Sequence, residues 1–217
     1  MICTVQLLWI PLGAGQRVVK RSGRAFEALM AFVQRRPASA LYHSALVVTV
    51  PDGRYVIEMT PEPDRNGDRR GVVARGAVGS RRLGTLRVFR YEVRCWHHGV
   101  IPDADRATAT TTLPVGLADA QRIVDLVPSV PAAVWGRDEL EAGEMWNSNS
   151  VTSWLLCRGG IDTIDLAPPD GGRAPGWDAG LVVAARPANT NGTRSRSPVV
   201  GDERSTDDID ECPAEDR

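Results

Sequence analysis

The sequence predicts an α+β fold in which an antiparallel sheet packs against helices. Three observations indicate it: a hairpin of two apolar segments over 42–59, an apolar strand over 5–10, and a buried helical run that begins near Ser148. At 217 residues, the chain has the length of one domain with a tail. We expect the domain to cover residues 1–186, and residues 187–217, which are polar and rich in Pro, Ser, Thr and Asp, to be disordered.

The first predicted elements are a strand and a helix. Val5 to Ile10 is typical of a buried strand, and Pro11 ends it. The helix that follows should bury one face, because apolar residues recur at i, i+3, i+4 and i+7 spacing in Phe26, Leu29, Met30 and Val33.

A hairpin comes next. Tyr42 to Val50 is rich in β-branched residues, Pro51-Asp-Gly53 has turn chemistry, and Arg54 to Met59 forms the return strand. Gly84 to Val93 alternates apolar residues with arginines, which predicts a strand with one solvated face.

Two helices and a strand complete the predicted domain. Leu117 to Val127 has the periodicity of an amphipathic helix. The helix that begins near Ser148 should end at Gly159-Gly160, since glycine is the usual C-terminal signal. Gly180 to Ala185 is interpreted as a last strand.

Composition and charge give no support to several classes of function. With 26 basic and 27 acidic residues, the overall charge gives no electrostatic case for binding nucleic acid or an anionic membrane. The N-terminal apolar run is too short to span a bilayer. The cysteines share no short spacing, which favours neither a zinc site nor a disulfide framework and suits a reducing cytoplasm; they are Cys3, Cys95, Cys157 and Cys212. No metal or cofactor is implied.

The strongest functional signal is Asn147-Ser148-Asn149-Ser150, placed directly before an apolar helical run. A helix N-terminus presents unpaired N–H groups and a partial positive charge, which stabilise an alkoxide or an oxyanion. Ser148 is therefore a candidate nucleophile, and Asn147 and Asn149 are candidate oxyanion donors. The alternative interpretation is that these residues only cap the helix.

Two residues of the hairpin could serve this nucleophile. His43, on the first strand, is a candidate general base, and Glu58, among apolar neighbours on the return strand, could orient its imidazole. The alternatives are a structural histidine and a surface glutamate. Arg173 and Trp177, in the loop over 171–177, are expected to line the cleft.

The order of these motifs resembles the circularly permuted papain-like fold, which includes permuted NlpC/P60 enzymes and lecithin retinol acyltransferase-like proteins. The hairpin of that group matches His43-Ser-Ala-Leu-Val-Val-Thr-Val-Pro-Asp-Gly-Arg-Tyr-Val-Ile-Glu-Met-Thr-Pro61. Anchoring on Asp52-Gly53 and Pro61 carries the base onto His43 and the orienting residue onto Glu58. The helix of that group opens Asn-Cys, so Ser148 stands in the place of the cysteine.

The chain is also similar to an uncharacterised actinobacterial family. The segments that carry this likeness are Trp135-Gly-Arg-Asp, Met145-Trp-Asn-Ser-Asn-Ser and Gly172-Arg-Ala-Pro-Gly-Trp-Asp-Ala-Gly. No activity follows from this second resemblance.

The papain-like resemblance implies a hydrolase or acyltransferase that acts on an amide, ester or thioester of a small molecule, lipid or peptide. Ser148 would be the nucleophile, His43 the base and Glu58 the orienting residue. Serine in place of cysteine needs full general-base help, and the same replacement is one way for such a fold to lose catalysis. The second hypothesis is therefore an inactive domain that binds a peptide, lipid or protein. A third, a metal site at His97 and His98, has no further ligand nearby in the sequence.

Overall fold

The computed structural model describes residues 3–12, 39–62, 71–101 and 104–187. The described residues up to Arg186 belong to one compact unit. The helix predicted around Phe26 to Val33 lies outside the described residues, and so does the tail after residue 187 that was predicted to be disordered. The described elements are β1 (Thr4–Pro11), β2 (Tyr42–Val50), β3 (Gly53–Pro61), β4 (Val72–Ala77), β5 (Arg90–His97), β6 (Ala109–Leu113), α1 (Leu117–Leu126), α2 (Ser148–Arg158) and α3 (Trp177–Ala185).

The strands form one antiparallel sheet in the order β4-β5-β3-β2-β1-β6. This confirms the predicted α+β class. The predicted hairpin is β2 and β3, which pair from Leu46 with Ile57 to Val50 with Gly53. None of the helices in the described ranges is long and apolar enough to cross a membrane.

The two faces of the sheet bury different sets of residues. One face, which we call the helix face, packs against the helices through side chains such as Trp9, Leu46 and Ile57. The other face, which we call the second face, holds a smaller apolar cluster with Ile101, formed by Leu8, Ile10, Ala45, Val47 and Val56. This division follows from the period-two alternation of side chains along a strand, and it decides where the predicted site residues point.

Helix α2 lies at the centre of the helical layer. Every residue from Ser148 to Leu156 is buried, and the helix packs against α1, α3, β2 and β3. A helix that is buried on all sides belongs to the core, so the polar residues of its first turns must find hydrogen-bond partners inside the protein.

One predicted strand is wrong, and another is correct only over its last residues, Arg90 to Val93. The last apolar segment, Gly180 to Ala185, belongs to helix α3, because a short apolar run cannot be assigned to strand or helix from its periodicity alone. Residues Leu83–Thr85 and Arg87–Phe89 form two 3-10 turns, and the strand begins only at Arg90. Strands β4 and β6 were not predicted.

Candidate functional site

The N-terminus of α2 is capped by the side chains of Asn147 and Ser150. Asn147 is the N-cap residue, and its Oδ1 accepts the N–H groups of Asn149, at 2.8 Å, and Ser150, at 3.3 Å. In return, Ser150 Oγ accepts the Asn147 N–H at 3.0 Å. This reciprocal capping box satisfies N–H groups that a helix start otherwise leaves unpaired.

Asn149 joins α2 to the sheet and to the loop before α3. Its amide nitrogen donates to the carbonyl oxygens of Tyr42, at 3.0 Å, and Pro175, at 2.9 Å. Its Oδ1 accepts the hydroxyl of Ser44 at 2.9 Å. Both polar atoms of this buried amide are thus engaged in structural hydrogen bonds.

Two serines of α2 hold the start of α3. Ser150 Oγ donates to the carbonyl oxygen of Gly176, and Ser153 Oγ donates to that of Trp177, each at 2.7 Å. The helices approach so closely that a Cβ atom at Gly180 would lie 2.2 Å from Ser150 O. The polar residues of α2 therefore serve packing between the helices.

Ser148 is the first residue of α2 and is only 5% exposed. Within the part of the chain that the structure describes, its hydroxyl makes no hydrogen bond. A serine becomes a nucleophile when an adjacent base takes its proton, so the position of His43 decides whether this site can react.

The structure does not bring His43 and Ser148 together. His43 pairs with Ile10 across β1 and β2, and Ser44 pairs with Trp9, in a ladder without register shifts. Ile10 lies in the cluster of the second face, while Trp9 packs on the helix face. Because paired residues of antiparallel strands point to the same face, His43 points away from α2. The predicted pairing of Ser148 with His43 is therefore not assembled.

Glu58 lies on the second face as well, in phase with Val56. Its Oε1 is 3.0 Å from Nη1 of the buried Arg94, which also pairs with the buried Glu92 at 3.1 Å. His43 and Glu58 thus share a face of the sheet, but Ser148 is not on it. The Arg94 pair gives Glu58 a charge-balancing role, because a buried arginine needs carboxylate partners.

The two residues predicted to line a cleft, Arg173 and Trp177, instead help hold the fold together. Trp177 is buried, and its ring packs on Trp9 with centroids 5.1 Å apart, so it belongs to the core. The backbone of Arg173 bridges to the start of β2: its N–H donates to Ala40 O and its carbonyl accepts the Tyr42 N–H, each at 2.8 Å. This loop therefore anchors α3 to the sheet.

The structure also shows the surroundings of the other candidate reactive residues, His97, His98 and Cys95. A ring nitrogen of His97 lies 3.0 Å from the carbonyl oxygen of Asp52, and its ring packs on Tyr55 and His98. Burial raises the pKa of the Cys95 thiol to about 11, so the thiol stays protonated at neutral pH and is a weak nucleophile. Among the described residues, no three His, Cys, Asp or Glu side chains are grouped to hold a metal ion.

Sequence reasoning missed Ser44, the strand residue that meets the N-terminus of α2. The signal was the alternation within β2, where Tyr42, Leu46 and Val48 all face the helices. Ser44 is in phase with these apolar residues and His43 is not. The motif selects His43 by residue type, whereas the alternation of side chains along β2 turns Ser44 toward α2.

Fold and site together define an α+β domain whose central buried helix begins in an asparagine capping box. Comparison of the chain with protein-family models, with curated proteins and with solved structures finds no match. The motifs over 43–61 and 146–156 and their geometry therefore carry the functional inference alone.

Proposed function

We propose that this chain is a catalytically inactive domain of the permuted papain-like type that acts by binding a partner. This proposal rests on one observation: His43 points to the second face of the sheet, whereas Ser148 lies in α2, which packs on the helix face. A serine hydroxyl without a base in reach is a poor nucleophile at neutral pH.

The hydrogen bonds of the helix start support the same conclusion. An oxyanion site needs donors that are free to bind developing negative charge. Here the Asn149 and Ser150 N–H groups bind Asn147 Oδ1, and the Asn147 and Asn149 amide nitrogens donate to backbone carbonyl oxygens. Using any of these donors for catalysis would break the capping box or the junction with β2.

The papain-like part of the proposal is supported by the order of the elements. An antiparallel hairpin precedes a buried helix, and the Asn-Ser start of that helix meets the first strand of the hairpin through Asn149 and Ser44.

The free thiols Cys3, Cys95 and Cys157 suit a reducing compartment, so we place the domain in the cytoplasm.

Labelling with a fluorophosphonate probe tests the proposal. The purified full chain should show no specific modification of Ser148 by intact mass and peptide mapping. The Ser148→Ala and His43→Ala variants should give the same background signal as the unmodified chain. A known serine hydrolase treated in parallel establishes that the probe is active.

One result would overturn this assignment. If Ser148 were labelled stoichiometrically and the labelling vanished in His43→Ala, an assembled nucleophile and base would exist. The chain would then be the serine-type hydrolase or acyltransferase that the motif order implies.

A further inference from the structure

Positive charge is concentrated in one part of this chain. Residues 71–101 hold one acidic side chain, Glu92, and six arginines, Arg75, Arg81, Arg82, Arg87, Arg90 and Arg94. This segment has a formal charge of +5, whereas the whole chain has a formal charge of −1. In the fold, four of these arginines pair with carboxylates from outside the segment, Glu58, Glu62 and Glu139. The six arginines and their four carboxylate partners, Glu92 included, still leave a formal charge of +2, and local charge helps determine which surfaces a protein approaches.

The same region exposes a cluster of apolar side chains. We call residues 80–90, which contain the two 3-10 turns before β5, the basic turn. Within it, Leu83 is 41%, Leu86 55% and Val88 78% exposed. Single exposed apolar residues are common on protein surfaces, but several within one short segment indicate an interaction site.

The basic turn is held in a defined shape. Arg90 donates from Nε to Gly84 O at 2.6 Å and from Nη2 to Thr85 O at 2.7 Å, which fastens the first 3-10 turn to β5. Arg82 is exposed, and its guanidinium pairs with no side chain of the described residues. The turn thus presents its apolar side chains and a solvent-facing cation on a fixed backbone.

A cleft of about 560 Å³ borders the basic turn. Three arginines line it, Arg75, Arg81 and Arg90, together with Gly76 and Gly84. Guanidinium groups match the geometry of phosphate oxygens and bind them through paired hydrogen bonds. Arg75 and Arg81 pair with Glu92 and Glu139 through part of their guanidinium groups, and their side chains are 58% and 72% exposed. Their remaining N–H groups can therefore donate to a phosphate beside the exposed apolar residues.

We propose that the basic turn docks this domain on a bilayer of anionic phospholipid. Leu86 and Val88 enter the boundary between headgroups and acyl chains, and Arg75, Arg81 and Arg82 bind headgroup phosphates. Apolar side chains flanked by arginines are the usual composition of interfacial membrane-binding elements. This inference rests on the proposed binding role and names its partner.

The exposed aliphatic residues favour a lipid surface over nucleic acid. Nucleic acid offers phosphates to the arginines, but proteins bind its bases mainly by stacking aromatic side chains or by hydrogen bonding. Leu83, Leu86 and Val88 can do neither. Inorganic phosphate likewise leaves these residues in water, whereas a bilayer removes them from it.

Sedimentation with lipid vesicles tests the proposal on the full chain. We expect binding to vesicles of phosphatidylcholine mixed with phosphatidylglycerol, little binding to pure phosphatidylcholine, and weakening as salt is raised. Replacing Leu86→Ser and Val88→Ser together should weaken binding at least about tenfold. Arg82→Gln should weaken it about fivefold, the effect of one cation near an anionic surface.

Matched variants outside the basic turn serve as controls. Ile164 is 87% exposed, so Ile164→Ser removes an equally accessible apolar side chain and should leave binding unchanged. Arg106 is exposed on another segment, and Arg106→Gln should reduce binding less than Arg82→Gln does. All these positions are exposed, so the variants should fold normally.

Several results would overturn the lipid assignment. These are equal binding to neutral and anionic vesicles, equal loss in the Ile164→Ser control, or saturable binding of inorganic phosphate or duplex DNA without binding to vesicles. If vesicles fail to bind and Ser148 stays unlabelled, the lipid partner is wrong and the inactive domain stands. If vesicles bind and Ser148 is labelled, the lipid surface stands and the inactive assignment is wrong.

Discussion

Replacing Asn149 by alanine should lower the free energy of unfolding by roughly 3–5 kcal/mol. The change removes an amide that makes three hydrogen bonds: two buried ones, to Tyr42 O and the Ser44 hydroxyl, and a partly buried one to Pro175 O. Each partner left unsatisfied in the interior costs about 1–3 kcal/mol. Urea denaturation of the wild type and Asn149→Ala, followed by circular dichroism, measures this difference.

Ser44, whose hydroxyl bonds to Asn149, provides a second comparison. Ser44→Ala should cost about 1 kcal/mol, and the double variant should cost less than the sum of the single variants because they share one hydrogen bond. Gln121→Ala removes an amide whose one hydrogen bond to the described residues is to Asp125 at the surface, and it should change stability by less than about 0.5 kcal/mol. Equal, small effects at Asn149 and Gln121 would contradict the central role of Asn149.

Gly180→Ala is expected to cost about 2–3 kcal/mol, the usual penalty for overpacking a closed interface. The added Cβ would lie 2.0 Å from Ser153 Oγ and 2.2 Å from Ser150 O. The serine side chain can rotate, but the backbone oxygen cannot move without shifting α2 or α3. Losing the rotated hydroxyl's bond to Trp177 O adds to the cost.

Gly116→Ala is the matched control for this substitution. Gly116 precedes α1 with φ of −77°, and among the described residues an added Cβ meets only Asp119 Oδ2, at 3.7 Å. Its thermal midpoint should therefore move much less than that of Gly180→Ala. If both variants melted at the wild-type temperature, the close approach of α2 and α3 would be incorrect.

Much of the fold could be predicted because local chemistry determines it. The β-branched segments and the Pro51-Asp-Gly53 turn predicted the hairpin, and the Asn147 to Ser150 run predicted the start of α2. In both cases neighbouring residues along the chain carry the whole signal. The same applies to the end of α2, where the chain reaches Gly159.

Features that depend on distant residues could not be predicted in this way. The direction of His43 is set by the pairing of β2 with β1, and a shift of one residue exchanges the two faces of a strand. The last apolar segment is a helix that packs closely on α2 at Gly180, a contact between residues distant in sequence. Arg90 favours 3-10 turns over a longer strand by binding carbonyl oxygens of Gly84 and Thr85.

The total charge of the chain likewise could not predict where charged and apolar side chains cluster on the surface. Six arginines within residues 71–101 are balanced by acidic residues elsewhere in the sequence. Composition averages over the whole chain, whereas a partner meets only one surface. The exposure of Leu86 and Val88 beside these arginines becomes visible only when the fold places them.

The most direct test that His43 points away from Ser148 is nuclear Overhauser spectroscopy on the isotope-labelled full chain. The structure predicts cross-peaks between the Ser44 Hβ protons and the Asn149 side-chain amide, and between the His43 ring and the Ile10 side chain. Cross-peaks between the His43 ring and the Ser148 Hβ protons would contradict this arrangement and restore the catalytic interpretation.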